Sequence, residues 1–211
     1  AYKLATSNKW VYELVDGDRK TDGRTTGDVA FHLAAGFDGK KTYALYDSVL
    51  VINQKKEATS GAIRLATRTE IDPAKWVYRT VEESSEALAM TGYDVALSVT
   101  AKSAFAVWLG ASSLTIPKPN QIRTASLLGA LNVKTFDTAK YGTPTRWLRT
   151  NGTAALFNCE DRLCSIDFAT KKINLITNST VTNGVSGRWI TVGGKSAVVA
   201  HVDGNLALAR P

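Results

Sequence analysis

Few residues of this sequence could carry out catalysis or bind a metal. The two histidines, His32 and His201, each lie in an apolar run predicted to be a strand, where a histidine is usually hydrogen-bonded within the structure. The sequence has no His-x-x-x-His pair, no Cys-x-x-Cys pair and no carboxylate-rich calcium loop, so we predict neither a metal nor a cofactor. The segment 193–196 (GGKS) ends like a phosphate-binding loop, but the strands predicted on both sides indicate a hairpin turn.

Three pairs of acidic residues could in principle provide a general acid and a general base. They are Asp16 with Asp18, Glu82 with Glu83, and Glu160 with Asp161. Each pair lies in a polar turn or loop, where solvated carboxylates are ordinary, and no nucleophile motif accompanies them. We therefore predict that the protein is not an enzyme.

The basic residues offer a different chemistry, the binding of an acidic partner. Lysine and arginine number 26 against 19 acidic residues, a net charge of +7, and the surplus lies in residues 106–211. Six basic residues of that half are candidates for partner binding: Arg146, Arg149, Arg162, Lys171, Lys172 and Arg188. A solvated face that limits self-association is the alternative, because the basic residues form no dense run.

Two cysteines flank a predicted turn. Cys159 and Cys164 lie on either side of residues 160–163. This spacing can bring the two sulfurs together across a hairpin, so a disulfide is geometrically feasible. Two free, buried thiols in a reducing cytosol fit the spacing equally well.

Tryptophans recur at equivalent positions. Trp10 and Trp76 each follow a lysine, and Trp147 and Trp189 each follow an arginine that opens a predicted strand. Their apolar neighbours favour packing in the core. Rings that stack on sugars or bases are the alternative.

A repeat organises the chain. Residues 1–6 (AYKLAT) recur as 62–67 (AIRLAT), and the tetrapeptide KWVY occurs at 9–12 and at 75–78. Short runs rich in Val, Ile, Thr and aromatic residues alternate with Gly, Asp and Asn turns, a pattern typical of β-strands, such as 41–46 followed by 49–52. We interpret the chain as a single domain, residues 1–211, of four units: 7–67, 68–128, 129–176, and 177–211 together with 1–6. Helical spacing occurs only in 82–90 and 126–131.

These units predict an all-β fold, and specifically a four-bladed β-propeller. The last unit has only three predicted strands, and residues 1–6 resemble the strand it lacks. We expect the N-terminal strand to complete the last blade and so close the ring, which removes a free sheet edge. A β-sandwich or jelly roll is the alternative, although it does not explain why 1–6 resembles 62–67.

A repeat scaffold without a catalytic constellation predicts a non-catalytic interaction or structural protein. We expect protein partners or further copies of the chain, in a larger assembly such as a phage or viral particle. A lectin-like propeller that binds glycans and a nucleic-acid-binding module that uses the basic second half are the alternatives. No apolar run is long enough to span a membrane, and no signal peptide is recognisable, so we expect synthesis in the cytoplasm and assembly into a particle.

Overall fold

The structure is a computed structural model. It describes residues 2–3, 10–11, 14–17, 28–51, 58–69, 75–83, 91–110, 120–141, 144–160, 162–176, 187–202 and 205–209. These residues form β-strands joined by turns and one short 3-10 turn, Ala139–Tyr141. The predicted all-β class is confirmed.

Four antiparallel sheets account for most of the strands, and within each sheet neighbouring strands follow chain order. The first sheet comprises β3 (Asp28–Phe37), β4 (Lys41–Val51), β5 (Ala58–Thr69) and β6 (Val77–Glu83). The second comprises β7 (Thr91–Thr100), β8 (Ser103–Gly110), β9 (Gln121–Ser126) and β10 (Lys134–Asp137). The third comprises β11 (Pro144–Thr150), β12 (Ala154–Cys159), β13 (Arg162–Asp167) and β14 (Ile173–Leu175). The fourth comprises β15 (Gly187–Val192), β16 (Lys195–Val202) and β17 (Asn205–Ala209).

A separate antiparallel pair lies at the N-terminus. It consists of β1 (Tyr2–Lys3) and β2 (Trp10–Val11). Among the described residues β1 pairs with β2, and β17 pairs with β16 alone, so the expected pairing of residues 1–6 with the last unit is not seen. In the part of the chain that is described, the four sheets form a series, and no closed ring is seen.

The sheets do not coincide with the units read from the sequence. The sequence places β6 in the second unit and β10 in the third, but β6 pairs with β5 and β10 pairs with β9. The repeated tetrapeptide at 75–78 therefore marks the fourth strand of a sheet. A repeat keeps the same period wherever its boundary is drawn, so the period alone does not fix where a sheet begins.

A side-chain oxygen closes the first turn of each of three sheets. Asp38, Thr100 and Asn151 each accept hydrogen bonds from the backbone N–H groups two and three residues later, at 2.7–3.3 Å. In the fourth sheet the turn is made by Gly193 and Gly194, with φ of 57° and 76°, which glycine adopts readily. The predicted hairpin at 193–196 is thus confirmed.

Successive sheets pack face to face, and three buried clusters fill the spaces between them. Large buried members are, in order along the series, Leu45, Ile63 and Trp108; Leu109, Ile122 and Phe157; and Leu156, Leu163 and Val198. Because a middle sheet packs on both sides, every side chain of β12 is buried. This explains why its sequence is apolar without alternation.

We predict that Gly36→Ala destabilises the contact between the first two sheets. A Cβ at Gly36 would lie 2.6 Å from Cγ2 of Val99, so the sheets would have to shift apart. The free energy of unfolding, measured by urea denaturation, should fall by about 1–3 kcal/mol. Ala35→Val adds bulk to the exposed neighbouring residue and should change it by less than about 0.5 kcal/mol. Equal effects of the two substitutions would contradict the close packing at Gly36.

Candidate functional site

His32 is held by a buried carboxylate. Its Nδ1 lies 2.7 Å from Oδ2 of Asp47, and its backbone N–H donates to Oδ1 of Asp47 at 2.9 Å. The histidine lies in a bulge of β3 between Val29 and Leu33, where the register with β4 shifts. A bulge leaves backbone groups without ladder partners. Asp47 therefore has a structural role, in agreement with the structural interpretation of His32.

Asp16, the described member of the first acidic pair, is also bonded within the structure. One carboxylate oxygen accepts a hydrogen bond from the Tyr46 hydroxyl at 2.5 Å and lies 3.6 Å from Nε of Arg64. The other oxygen accepts the N–H of Gly17 at 2.8 Å. Burial, and then the bond to Asp16, raise the pKa of Tyr46 well above its usual range. This cluster joins residues 14–17 to the first sheet.

Glu82 joins the first sheet to the second. It accepts hydrogen bonds from Nε1 of Trp108 at 2.7 Å and from Nη1 of Arg123 at 2.8 Å. Glu83 is exposed at the end of β6, and Glu160 lies in the turn after β12. Asp18 and Asp161 lie outside the described residues. In the part of the chain that is described, no three His, Cys, Asp or Glu residues come together as metal ligands.

The two cysteines form a disulfide. Cys159 of β12 is bonded to Cys164 of β13, with 5.8 Å between their Cα atoms. Cys159 lies opposite Arg162 in the ladder, so the bond crosses the hairpin diagonally. Of the two states that the sequence left open, the structure has the bonded one.

The six basic candidates are not brought together in one cluster. In the third sheet Arg146 and Arg162 lie towards the end marked by Cys159, and Arg149 lies towards the other end. The turn with Lys171 and Lys172 is also at that other end, since it follows β13. Strands of six residues separate the two ends by about 20 Å.

Arg188 lies near the end of the third sheet that carries Arg162. Its neighbour Gly187 packs against Leu163, because a Cβ there would lie 2.7 Å from Cδ2 of that leucine. Arg162, Lys171, Lys172 and Arg188 are exposed. Arg149 is half-buried and donates to the carbonyl of Leu148 at 2.7 Å. The side chains of Arg146 and His201 lie outside the described part of the structure.

The face of the first sheet that points away from the second sheet is apolar and partly open. Ala44, Tyr46 and Ala66 are buried there with Val15 packed against them, whereas other residues of this face are exposed. The ladder places Leu33 beside Tyr46, and Ala35 beside Ala44, on this face. Leu33 is 60% exposed, and Phe37, which lies on the same face, is 49% exposed. We call this surface the outer face of the first sheet.

A cavity of about 470 Å³ opens on this outer face. Val29, Leu33, Tyr46 and Trp76 are among its lining residues. The guanidinium carbon of Arg68 lies 5.1 Å from the centre of the Trp76 ring, so the arginine covers part of that ring. Asp16 also lines the cavity, but most of its lining residues are apolar or aromatic, so it can receive an apolar side chain.

The fourth sheet also has exposed apolar residues on its outer side, although Ala197 on that side is buried. Val198 and Ala200 of β16 are buried against the third sheet, and Leu206 and Leu208 point to the opposite side. These leucines are 80% and 46% exposed. Ile190 and Val192 of β15 share that side and are 36% and 38% exposed. We call this surface the outer face of the fourth sheet.

Sequence reasoning missed both outer faces. The run Leu206-Ala207-Leu208-Ala209 resembles Ile63-Arg64-Leu65-Ala66, and both are third strands of their sheets. Ile63 and Leu65 are buried against the second sheet, at 0% and 3% exposure. The repeat could have indicated these surfaces, because equivalent strands need equivalent neighbouring sheets. No described sheet packs on the outer side of the fourth sheet.

We predict that Tyr46→Phe lowers the free energy of unfolding by about 1–3 kcal/mol, because buried Asp16 loses a hydrogen-bond donor. Tyr43→Phe is the matched control. The Tyr43 hydroxyl donates to Asp38 at 2.8 Å in a solvent-exposed turn, so its loss should have a smaller effect. Urea denaturation of both variants measures the difference. A larger effect of Tyr43→Phe would contradict the role given to the Asp16 cluster.

We predict that replacing Cys159 and Cys164 together by serine lowers the free energy of unfolding by about 2 kcal/mol, because the unfolded chain regains the freedom of the short closed loop. Dithiothreitol should destabilise the wild type to a similar degree and leave the double variant unchanged. A wild type whose urea midpoint does not respond to the reductant would contradict this prediction.

The sequence matches no protein-family model and no curated protein sequence. A solved structure described as a Mycobacterium tuberculosis puromycin-hydrolyzing peptidase is similar over 88% of this chain, at 9% identity and a TM-score of 0.21. The match spans 44% of that peptidase chain. A similarity at this level carries no argument about fold or activity. The described residues include no helix with the length and apolar character needed to cross a bilayer.

Proposed function

We propose that this protein is a non-catalytic interaction protein that acts as a component of a larger assembly, such as a phage or viral particle. The observation that carries the proposal is the exposure of apolar side chains at both ends of the series of sheets. Leu33 and Phe37 are exposed at one end, and Leu206 and Leu208 at the other. Clustered apolar residues on a surface are typical of a protein interface.

We also propose that the four sheets are the blades of a β-propeller. Each sheet is an antiparallel meander, and β3, β7, β11 and β15, the first strands, contact one another in that order. Blades placed around an axis have this arrangement. A sandwich has two stacked sheets, whereas this chain stacks four. In this proposal the blades form an open series; the closed four-bladed ring predicted from the sequence would instead bring the two outer faces together within one chain.

A lectin-like role is the second candidate. One observation favours it, the half-buried Trp76 at the wall of an open cavity that also contains Tyr46. Arg68 already stacks on that ring, which reduces the surface left for a sugar. The nucleic-acid alternative has less support, because the basic candidates are divided between two ends of the third sheet.

We predict that Leu33→Glu removes the protein from its assembly without unfolding it. In size-exclusion chromatography of a native extract from the source, the wild-type chain should elute as a complex well above its own 22.7 kDa. The variant should elute as a single chain, because a charge on the outer face of the first sheet cannot be buried against an apolar partner. Circular dichroism should show an unchanged strand content.

Leu128→Glu is the control for this experiment. Leu128 is also exposed, at 46%, but it lies in the turn region after β9, away from both outer faces. Its elution should match that of the wild type. A wild-type chain that elutes from the native extract at 22.7 kDa would contradict the proposed function.

A further inference from the structure

We propose that the outer face of the fourth sheet binds the outer face of the first sheet of a second copy of this chain. The contact joins two different surfaces, so the assembly is head to tail. This inference rests on the proposed function and names the partner at its interface. Four observations carry it.

The first observation is that the chain already makes this kind of contact three times. The first sheet packs on the second, the second on the third and the third on the fourth, each through one apolar cluster. The second and third sheets each contact the preceding sheet with one face and the following sheet with the opposite face. The exposed parts of the two outer faces are suited to a fourth contact of the same kind.

The second observation is that the fourth sheet presents residues suited to such a contact. Leu206 and Leu208 occupy the strand and the face that Ile63 and Leu65 occupy in the first sheet. There the two residues are almost fully buried by the next sheet. The apolar pair in the fourth sheet is therefore suited to pack against the face that a sheet turns towards the sheet before it in the series.

The third observation is the shape of the outer face of the first sheet. Its cavity of about 470 Å³ is open to solvent and lined by Val29, Leu33 and Trp76 among others. Leu206, the most exposed large apolar residue of the described chain at 80%, is a side chain that such a cavity can receive. An exposed apolar residue and a pocket elsewhere on the same molecule favour a head-to-tail contact.

The fourth observation concerns strand β2. It carries the Trp-Val pair found at 76–77, where the fourth strand of the first sheet begins, and it precedes β3 as β6 precedes β7. Among described residues the fourth sheet has no fourth strand, and β17 has one neighbour. In the assembly β2 of the second copy joins the edge of β17 that has no partner among the described residues, which supplies backbone hydrogen bonds.

The partner is a second copy because one chain does not satisfy its own faces. Leu33 and Phe37 on one outer face and Leu206 and Leu208 on the other are exposed at the same time. Among the described residues β15 makes no extensive contact with β3. The strand β1 pairs with β2, and in the described part of the chain β16 is the one strand paired with β17. Contacts between copies cover the exposed apolar residues of both faces and pair the second edge of β17.

Complementation between two disabled chains tests the inference. Leu33→Glu disables the outer face of the first sheet, and Leu206→Glu disables that of the fourth. We expect purified wild type to form concentration-dependent oligomers in native mass spectrometry, and each variant alone to remain at 22.7 kDa. Mixed in equal amounts, the variants should form a dimer with one chain of each, because every such pair retains one intact contact.

Leu128→Glu should oligomerise like the wild type, and circular dichroism should show that all variants remain folded. A purified wild type that stays monomeric, although it enters a large complex in the native extract, would overturn this inference and leave the proposed function standing. A monomer in both settings would overturn both. A wild type that oligomerises while the mixed variants form no dimer would overturn the head-to-tail contact.

A cysteine pair provides a second measurement. In the Leu33→Cys/Leu206→Cys double variant, oxidation should link chains into a ladder of covalent oligomers on a non-reducing gel. A covalent bond formed within single chains would instead support the closed four-bladed ring and overturn the contact between copies.

Discussion

The structure depends on the burial of sheets between other sheets. Strands such as β12 are buried on both faces, so such a sheet is stable only with a neighbour on each side. Apolar burial stabilises by roughly 25 cal/mol for each Å² removed from water, and short sheets have little else to stabilise them. Among the described sheets, the second and third have a sheet on each side, whereas the first and fourth each have one. The two outer faces follow directly from this requirement.

Two aspartates, buried Asp47 and half-buried Asp94, bind backbone N–H groups where the hydrogen-bond ladders shift register. β3, β7 and β11 each contain a register shift against the next strand. Asp47 binds the bulge of β3 through His32, and Asp94 of β7 accepts N–H groups from Val95 and from Leu148 of β11, both at 2.8 Å. A buried N–H without an acceptor destabilises the fold, so these carboxylates are needed for structure.

The all-β class and the repeated sheets could be predicted from the sequence because strand-forming residues and turn residues alternate along it. One strand was misread for a physical reason: Asp47 and Ser48 interrupt an apolar run and suggest a turn between 41–46 and 49–52. In the structure β4 continues through both residues, since Asp47 is buried and bonded to His32. The sequence shows that residue 47 is polar, but it does not show that His32 is the partner that allows its burial.

The interaction surfaces could not be predicted, because exposure is decided by what packs on a strand and not by the strand itself. Leu65 and Leu208 belong to similar runs, yet the first is buried and the second exposed.

Repeat proteins usually end in units with polar outer faces, which protect the stack from further growth. The ends of this series carry Leu33 and Phe37 on one side and Leu206 and Leu208 on the other. Ends of this composition do not terminate a stack. Apolar end faces favour the binding of a further sheet, so the repeat that organises one chain also specifies how the next chain binds.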